Sequence, residues 1–476
     1  MDKQYWTAER LNLPYDQWSK ASVDQLKTKV RDSKWRLGYH IQPESGLLND
    51  PNGFSYYNHQ WHLFYQSFPF GPVHGLKSWA HLVSPDLIHW QDVHQPMIPD
   101  SSNDRNGCYS GSALPINDQL FLMYTGNIWD NGVRKAKQNG AFVNQDNQIT
   151  KLAHPLIDQP SEGITGNFRD PQIIKHANYY YAIIGAQTDN RRGEILVYRS
   201  KYLDHGWYYY RKLDIGTNDL GYMVECPNLV FIDGRPVIIF CPQGMSHKHL
   251  KYANKYPNTY IVGKDFNWDK MKFINPSKIQ QLDNGFESYA TQAINAPDGR
   301  VLEVSWIGMP DLEEPDAEDG WTNALSLVRE LSLDGEQLTQ KPAAENKGLS
   351  DHELKSINGM EVPKQCLLDF APTENKGSQF AITSGESHLL IDVDDDNNRL
   401  TLHRLNKNGN EEQRIINMDT AKVSDCQIYL DNSLFEIYIN GGEKLMSGRV
   451  FFSHSVINAT WIDCQAVELT QLKKLN

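Results

Sequence analysis

From about residue 45 onward the hydrophobic positions of this chain keep a strand rhythm. Short β-branched and aromatic runs alternate with clusters of turn residues, and long helical periodicity is scarce. Five stretches share one plan, an apolar run, a polar turn and a second apolar run. They are FSYYNHQWHLFYQ, SALPINDQLFLMYTG, PQIIKHANYYYAIIGAQ, PNLVFIDGRPVIIFCPQG and QAINAPDGRVLEVSWIG. Turn chemistry makes each a β-hairpin. Their second strands begin near Trp61, Leu120, Tyr179, Pro236 and Val301, which are 59, 59, 57 and 65 residues apart. Hairpins repeating at such a period predict a radial array of four-stranded sheets, a five-bladed β-propeller over 36–335. A large sandwich with accidental spacing is the alternative.

Ahead of the hairpins, Ser22-Val-Asp-Gln25 reads as a capping box that opens a short helix within an N-terminal extension, 1–35. After Trp321 the plan changes. GEQLTQKPAAENKGLSDHELKS is polar and reads as a connector, 336–348, that carries a short helix. Then SHLLIDVDDD, RLTLHRLN, DCQIYLDNSLFEIYING and GRVFFSHSVI alternate as an antiparallel sandwich does, so a smaller β-sandwich is expected over 349–476. The fold class is therefore all-β.

Length and composition agree with this division. At 476 residues the chain exceeds one ordinary core, and 39% hydrophobic with 22% charged residues is a globular balance. A net charge of -13 argues against a nucleic-acid partner, although local basic clusters leave a small anionic substrate open. No apolar stretch has the length of a signal-peptide core or a membrane span, so a cytoplasmic protein with no membrane partner is expected. Six cysteines are scattered without a CxxC pair, which reads as reduced thiols rather than a zinc or redox site.

The chemistry is read from three acids. Asp50 in LNDPNG, Asp170 in NFRDPQ and Glu225 in MVECPN each stand just before the first strand of a hairpin, 11, 9 and 11 residues ahead of the second. Equivalent positions on different blades converge at one mouth of a propeller's channel. Asp before Pro is a common turn starter, and LNDPNG reads as a tight turn in which Pro51 and Gly53 hold Asp50 rigid. Three carboxylates in one cavity repel one another, and their pKa values separate. Paired carboxylates are the equipment of glycoside hydrolysis. No Ca²⁺-loop spacing competes, so neither metal nor cofactor is expected.

These motifs resemble glycoside hydrolase family 32, and WAHLVSPDLIHW, YSGSA, LDNGFESYA, GWTNALSLVREL and LFEIYINGGE follow in the family's order. The resemblance implies that Asp50 is the nucleophile toward the anomeric carbon of a fructoside, Glu225 the acid/base, and Asp170 the residue that holds ring hydroxyls. It implies that Asn49, Gln66, Tyr109 and Ser110 bind the fructosyl unit and that Arg169 pairs with one of the acids. Cys226 then shapes the surroundings of Glu225. Trp79 and Trp306 are either sugar-facing rings or core. Departures from the family pattern are His74, where many members carry Trp, Phe68 before Pro69, Glu287 in place of Asp, and Val328. The first two are expected at the pocket rim.

The HGLKSW form resembles the branch that hydrolyses sucrose 6-phosphate. A 6-phosphate needs cations, and the candidates are Lys77 beside His74, Arg134 in NGVRKAKQNG and Lys248 in SHKHLKYANK, each with a solvated-loop alternative. Plain sucrose or short fructo-oligosaccharides are alternative substrates. A catalytically silent sugar-binding propeller and an arabinan-degrading propeller hydrolase are the other classes. The sandwich braces the propeller or forms a homodimer contact.

Overall fold

In a computed structural model describing residues 5–418 and 422–475, the five expected hairpins are the inner strand pairs of five blades. Blade I contains Gly46–Tyr57, Gln60–Phe68, Ser78–Ser84 and Gln91–Asp92, and blade II Cys108–Ile116, Gln119–Asp130, Val133–Val143 and Ile149–Lys151. Blade III contains Ile164–His176, Tyr179–Thr188, Gly193–Ser200 and Tyr208–Lys212. Blade IV contains Met223–Ile232, Arg235–Gln243, Thr259–Val262 and Gln280–Gln281, with a side hairpin of Asp265–Asn267 and Lys272–Ile274. Blade V contains Tyr289–Asn295, Val301–Ile307, Arg329–Asp334 and Gln337–Pro342. Asn58-His59 and Asp233-Gly234 both take positive φ at the tips, the conformation that two-residue hairpins require. Trp321–Thr322 pairs in parallel with the inner strand of blade I and ties the end of the propeller to its start.

Neighbouring blades are stitched at one level by buried side chains on the inner strands. Asn52 Oδ1 accepts the Gly111 amide at 2.8 Å, and Ser112 Oγ donates to Pro171 O at 2.9 Å and accepts the Ile173 amide at 2.8 Å. Gln172 bonds both backbone groups of Leu229, Asn228 donates to Thr291 O, and Gln292 accepts the Phe54 amide at 2.6 Å, which closes the circle. These five side chains satisfy backbone groups that the innermost, unpaired strand edges leave over.

Gln337–Pro342 lies in the stretch expected as connector, yet it is the outer strand of blade V, paired from Arg329↔Pro342 to Asp334↔Gln337. An outermost strand buries one face only, here Leu338 and Gln340, so its sequence reads as polar. The short helix expected there is the 3₁₀ turn Ala344–Leu349. The N-terminal helix also differs. It spans Lys20–Arg31 and its cap is Ser19, whose Oγ accepts the Ser22 amide at 3.4 Å. Ser22 is thus inside the helix rather than at its start. Trp6, Leu11, Tyr15 and Trp18 from this extension pack on Leu47, Phe68 and Leu76, with Trp18 stacked on Phe70 at 4.4 Å between centroids.

The C-terminal domain is two six-stranded sheets enclosing one apolar core that includes Phe370, Phe380, Ile391, Ile428 and Ile437. Its contact with the propeller is charged and buried. Arg329 lies 2.9 Å from Glu436 and 3.4 Å from Glu303, Arg449 2.7 Å from Asp316, and His40 3.0 Å from Asp431 and 3.2 Å from Glu436. Burial opposes the Glu436 carboxylate, but Arg329 and His40 hold it down at about 2. Glu287 belongs to this contact too, bonded to Arg404 at 2.9 Å and to the Arg449 amide at 2.9 Å.

Candidate active site

LNDPNG is not a free turn. It lies inside the strand Gly46–Tyr57, whose pairing register slips between Leu48 and Pro51. The inner strand of every other blade slips at the same point, between Tyr109 and Gly111, around Asp170, between Glu225 and Asn228, and between Tyr289 and Gln292. A regular strand sends successive side chains to opposite faces. A bulge breaks that alternation and re-aims them. Proline is admitted at such irregularities, which accounts for Pro51, Pro171 and Pro227. Asp170, Cys226 and Ala290 take φ of 64, 47 and 50° there.

The bulges set two circles of residues about the axis. Asp50, Ser110, Asp170, Cys226 and Ala290 occupy one level, and Asn49, Tyr109, Arg169, Glu225 and Tyr289 the position before it. Asp50 and Asp170 are therefore equivalent, as expected. Glu225 is not, standing one residue earlier at the position of Arg169 and Asn49.

Asp50 Oδ2 accepts Ser110 Oγ–H at 2.6 Å and Gln66 Nε2 at 3.3 Å, and its Oδ1 accepts Asn49 Nδ2 at 2.9 Å. Burial pushes this carboxyl up, the charge of Glu225 adds to that, and Ser110, Asn49 and Lys77 oppose it. Asp170 accepts the Cys226 amide at 3.1 Å and gives its own amide to Thr125 Oγ1 at 3.0 Å. Burial raises its pKa to about 7 against the pull of Arg169, with Glu225 and Asp50 adding to the rise. Glu225 Oε1 receives Arg169 Nη2 at 2.7 Å and Nε at 3.1 Å, and its Oε2 receives Gln243 Nε2 at 2.6 Å and Tyr289 O–H at 2.7 Å. Arg169 also lies 3.9 Å from Asp170. Three carboxylates thus share one site, each held by its own donors.

Residues 40–342 match the glycosyl hydrolases family 32 N-terminal domain and residues 331–472 the family 32 C-terminal domain. This chain belongs to glycoside hydrolase family 32. The sucrose-6-phosphate hydrolases of Pediococcus pentosaceus and Streptococcus mutans are 43% and 42% identical to it, over 94% and 93% of this chain and 92% and 95% of theirs. Among solved structures, sucrose-6-phosphate hydrolase from Lactobacillus gasseri superposes with a TM-score of 0.93 at 38% identity, covering 99% of this chain and 100% of that one. The Bombyx mori family 32 β-fructofuranosidase, as a mutant in complex with sucrose, superposes at 0.84 with 28% identity, covering 96% and 99%.

The family 32 hydrolase brings most of the expected residues together and sets some apart. Asn49, Gln66, Ser110 and Arg169 touch the acids, and the Tyr109 ring lies 5.2 Å from the Arg134 guanidinium. His74 is exposed at the rim, edge-on to Trp306 at 6.3 Å. Trp306 is 2% exposed and also meets Tyr289 edge-on at 6.2 Å. Trp79 is core, 0% exposed among Phe64, Met97 and Tyr124, with its N–H on Tyr109 O. Phe68 is not at the rim. It is buried beneath the N-terminal extension, an aromatic partner for Trp6 and Trp18. Lys77 is buried below the site and bonded to Asn49, while Lys248 stands exposed on an outer loop.

Sequence reasoning missed Tyr289, Gln243 and Thr125 as partners of the acids. A signal existed for Tyr289. NDPN, YSGS, RDPQ, ECPN and YATQ align as one repeated tetrad, 60, 60, 56 and 64 residues apart, whose first two residues form the site and whose fourth stitches the blades. Among the described residues no helix is long and apolar enough to cross a membrane.

Proposed function

We propose that this family 32 hydrolase cleaves the terminal β-D-fructofuranoside of sucrose 6-phosphate by double displacement. The observation that carries the reading is the pair of separately supported carboxylates, Asp50 and Glu225, in one site. In the first step an Asp50 oxygen bonds to C2 of the fructosyl unit as the C2–O bond to glucose breaks. The leaving oxygen keeps that electron pair and takes a proton from Glu225. In the second step Glu225 removes a proton from water, the water oxygen bonds to C2, and Asp50 leaves as a carboxylate. Asp170 accepts bonds from fructosyl hydroxyls and supplies fixed negative charge to the cationic transition state. Arg169 is the counter-charge to Glu225 whenever that group is ionised.

The sugar is small, and its phosphate is assigned to Arg134. The basic residues expected in a loop lie in the strand Val133–Val143, where Lys135 pairs with Asp130 and Lys137 with Asp158, both within 2.8 Å. Arg134 instead spends Nε on Asn127 at 2.7 Å and Nη1 on Asn167 at 3.0 Å, while its buried Nη2 has no hydrogen-bond partner among the described residues. A guanidinium with a spare donor beside the acids fits a phosphate oxygen.

Two substitutions test this. Asp50→Ala abolishes fructose release, at least ~10³-fold, while fold and sugar binding persist; turnover near wild type refutes the mechanism. Arg134→Met lowers kcat/KM for sucrose 6-phosphate by about tenfold or more and leaves sucrose nearly unchanged. An equal effect on both sugars removes the phosphate assignment. Equal wild-type kcat/KM for the two sugars makes the protein a general β-fructofuranosidase.

A further inference from the structure

Lys77 was a candidate for gripping phosphate, but its position assigns it other work. The side chain is 3% exposed, and its Nζ sits 2.7 Å from Asn49 Oδ1. Burying an ammonium is expensive without compensation. Here the compensation is not an ion pair, since among the described residues no carboxylate lies within 4.0 Å of it. Its hydrogen bond goes to a neutral amide.

That choice of partner has a geometric result. Burial lowers the Lys77 pKa to about 7 against the pull of Asp50; in its charged form the side chain has three donors and no acceptor, so only the oxygen of the Asn49 amide can face it. The Asn49 NH₂ is then forced to the other side, where it donates to Asp50 Oδ1 at 2.9 Å and to Gln66 Oε1 at 3.1 Å. Gln66, with its oxygen so engaged, turns its own NH₂ toward Asp50 Oδ2 and Ser110 Oγ. Reversing the Asn49 amide would set its oxygen against those of Asp50 and Gln66 and its NH₂ against the ammonium. One buried cation therefore decides which way two amides point, and with them two of the donors that hold Asp50.

We propose that Lys77 is a positioning residue, whose donors fix the Asn49 amide so that Asn49 and Gln66 hold Asp50 in place for attack on the fructosyl carbon. This rests on Asp50 being the nucleophile, the reading given above. Lys77 acts through Asn49 and does not itself meet the sugar.

The test is a double-mutant cycle on the full chain, with steady-state kinetics on sucrose and sucrose 6-phosphate. Lys77→Met lowers kcat by about tenfold or more and changes KM by less than about threefold, because the reacting carboxylate is misplaced rather than the sugar site lost. Lys77→Arg, with donors and no acceptor, recovers most of that rate. In an Asn49→Ala background, Lys77→Met changes kcat by less than about twofold, since the link is already broken. The same fold-loss in both backgrounds, or a wild-type rate for Lys77→Met, overturns the proposal. If Lys77→Met does not fold by circular dichroism, Lys77→Gln, whose amide carries an acceptor, reads the same coupling in both backgrounds. A wild-type protein that releases no fructose from either sugar ends the hydrolase reading instead, so the two failures are distinguishable.

Discussion

Ser110 offers the cleanest way to perturb the nucleophile. Its hydroxyl, 2% exposed, donates to Asp50 Oδ2 at 2.6 Å, and Ser110→Ala removes that donor with little change of volume. A hydrogen bond to a charged group is worth about 1.5–3 kcal/mol, and one pKa unit about 1.4 kcal/mol, so the span is about one to two units. Asn49 at 2.9 Å and Gln66 at 3.3 Å remain on the carboxylate, which places the expected shift near about one unit. The sign follows from which form loses the donor. The bond stabilises the carboxylate, so its loss favours the carboxylic acid and raises a pKa that burial has already raised. The acidic limb of kcat/KM moves toward higher pH by about one unit, and the loss shrinks again on the alkaline side of the shifted limb. The assay is kcat/KM for sucrose at constant ionic strength across about pH 4–8 for wild type and variant. A plateau that falls while the acidic limb stays within about 0.2 units refutes the reasoning, because Ser110 would then act on the sugar and not on Asp50.

Tyr289→Phe removes the 2.7 Å donor to Glu225 but keeps the ring. It is expected to lower kcat/KM by about ten- to a hundredfold with an unchanged melting temperature. Asp170→Asn tests the cost of the site. An acid raised to about 7 in the fold and lying near 3.9 when unfolded loses stability as pH rises between those values. The variant should therefore melt about 2 °C or more above wild type at pH 7, and the gap should close toward pH 4 by differential scanning fluorimetry. Arg329→Met removes the cation that Glu436 and Glu303 share, leaving His40 beside Glu436, and should cost about 3–5 kcal/mol, read as a lower unfolding midpoint in urea.

Both domains were legible because blades and sandwich strands carry their own turn chemistry. The period of the hairpins reported five blades, with strand starts within one residue of Trp61, Leu120, Tyr179, Pro236 and Val301. Elements whose residues face water on one side were harder. Gln337–Pro342 shows two inward side chains out of six and reads as connector. The three acids were visible through their motifs, but the bulge that aims them was not, since a register slip is a property of two paired strands. For the same reason LNDPNG read as a turn, and Glu225 as the equivalent of Asp50. Trp79 stayed open between site and core, and Phe68 was expected at the rim but is core, because an aromatic residue beside a pocket and one in the core behind it have the same composition. Lys77 read as a phosphate grip or a solvated loop residue because lysine is usually exposed, and its burial depends on Asn49, 28 positions earlier.

The circle of four amides and one hydroxyl that joins the blades also narrows the axis. It lies directly beneath the acids, and a cavity between the two levels, lined by Asn52, Ser112, Gln172, Asn228 and Gln292 below and by Ser110, Asp170 and Cys226 above, is about 10 Å³, room for about one water. The axis of the propeller is thus pinched at this level, with a wider cavity of about 240 Å³ on the far side of the circle. In the proposed mechanism, a constriction this narrow leaves the departing glucosyl unit and the incoming water to use the acids' side of the circle.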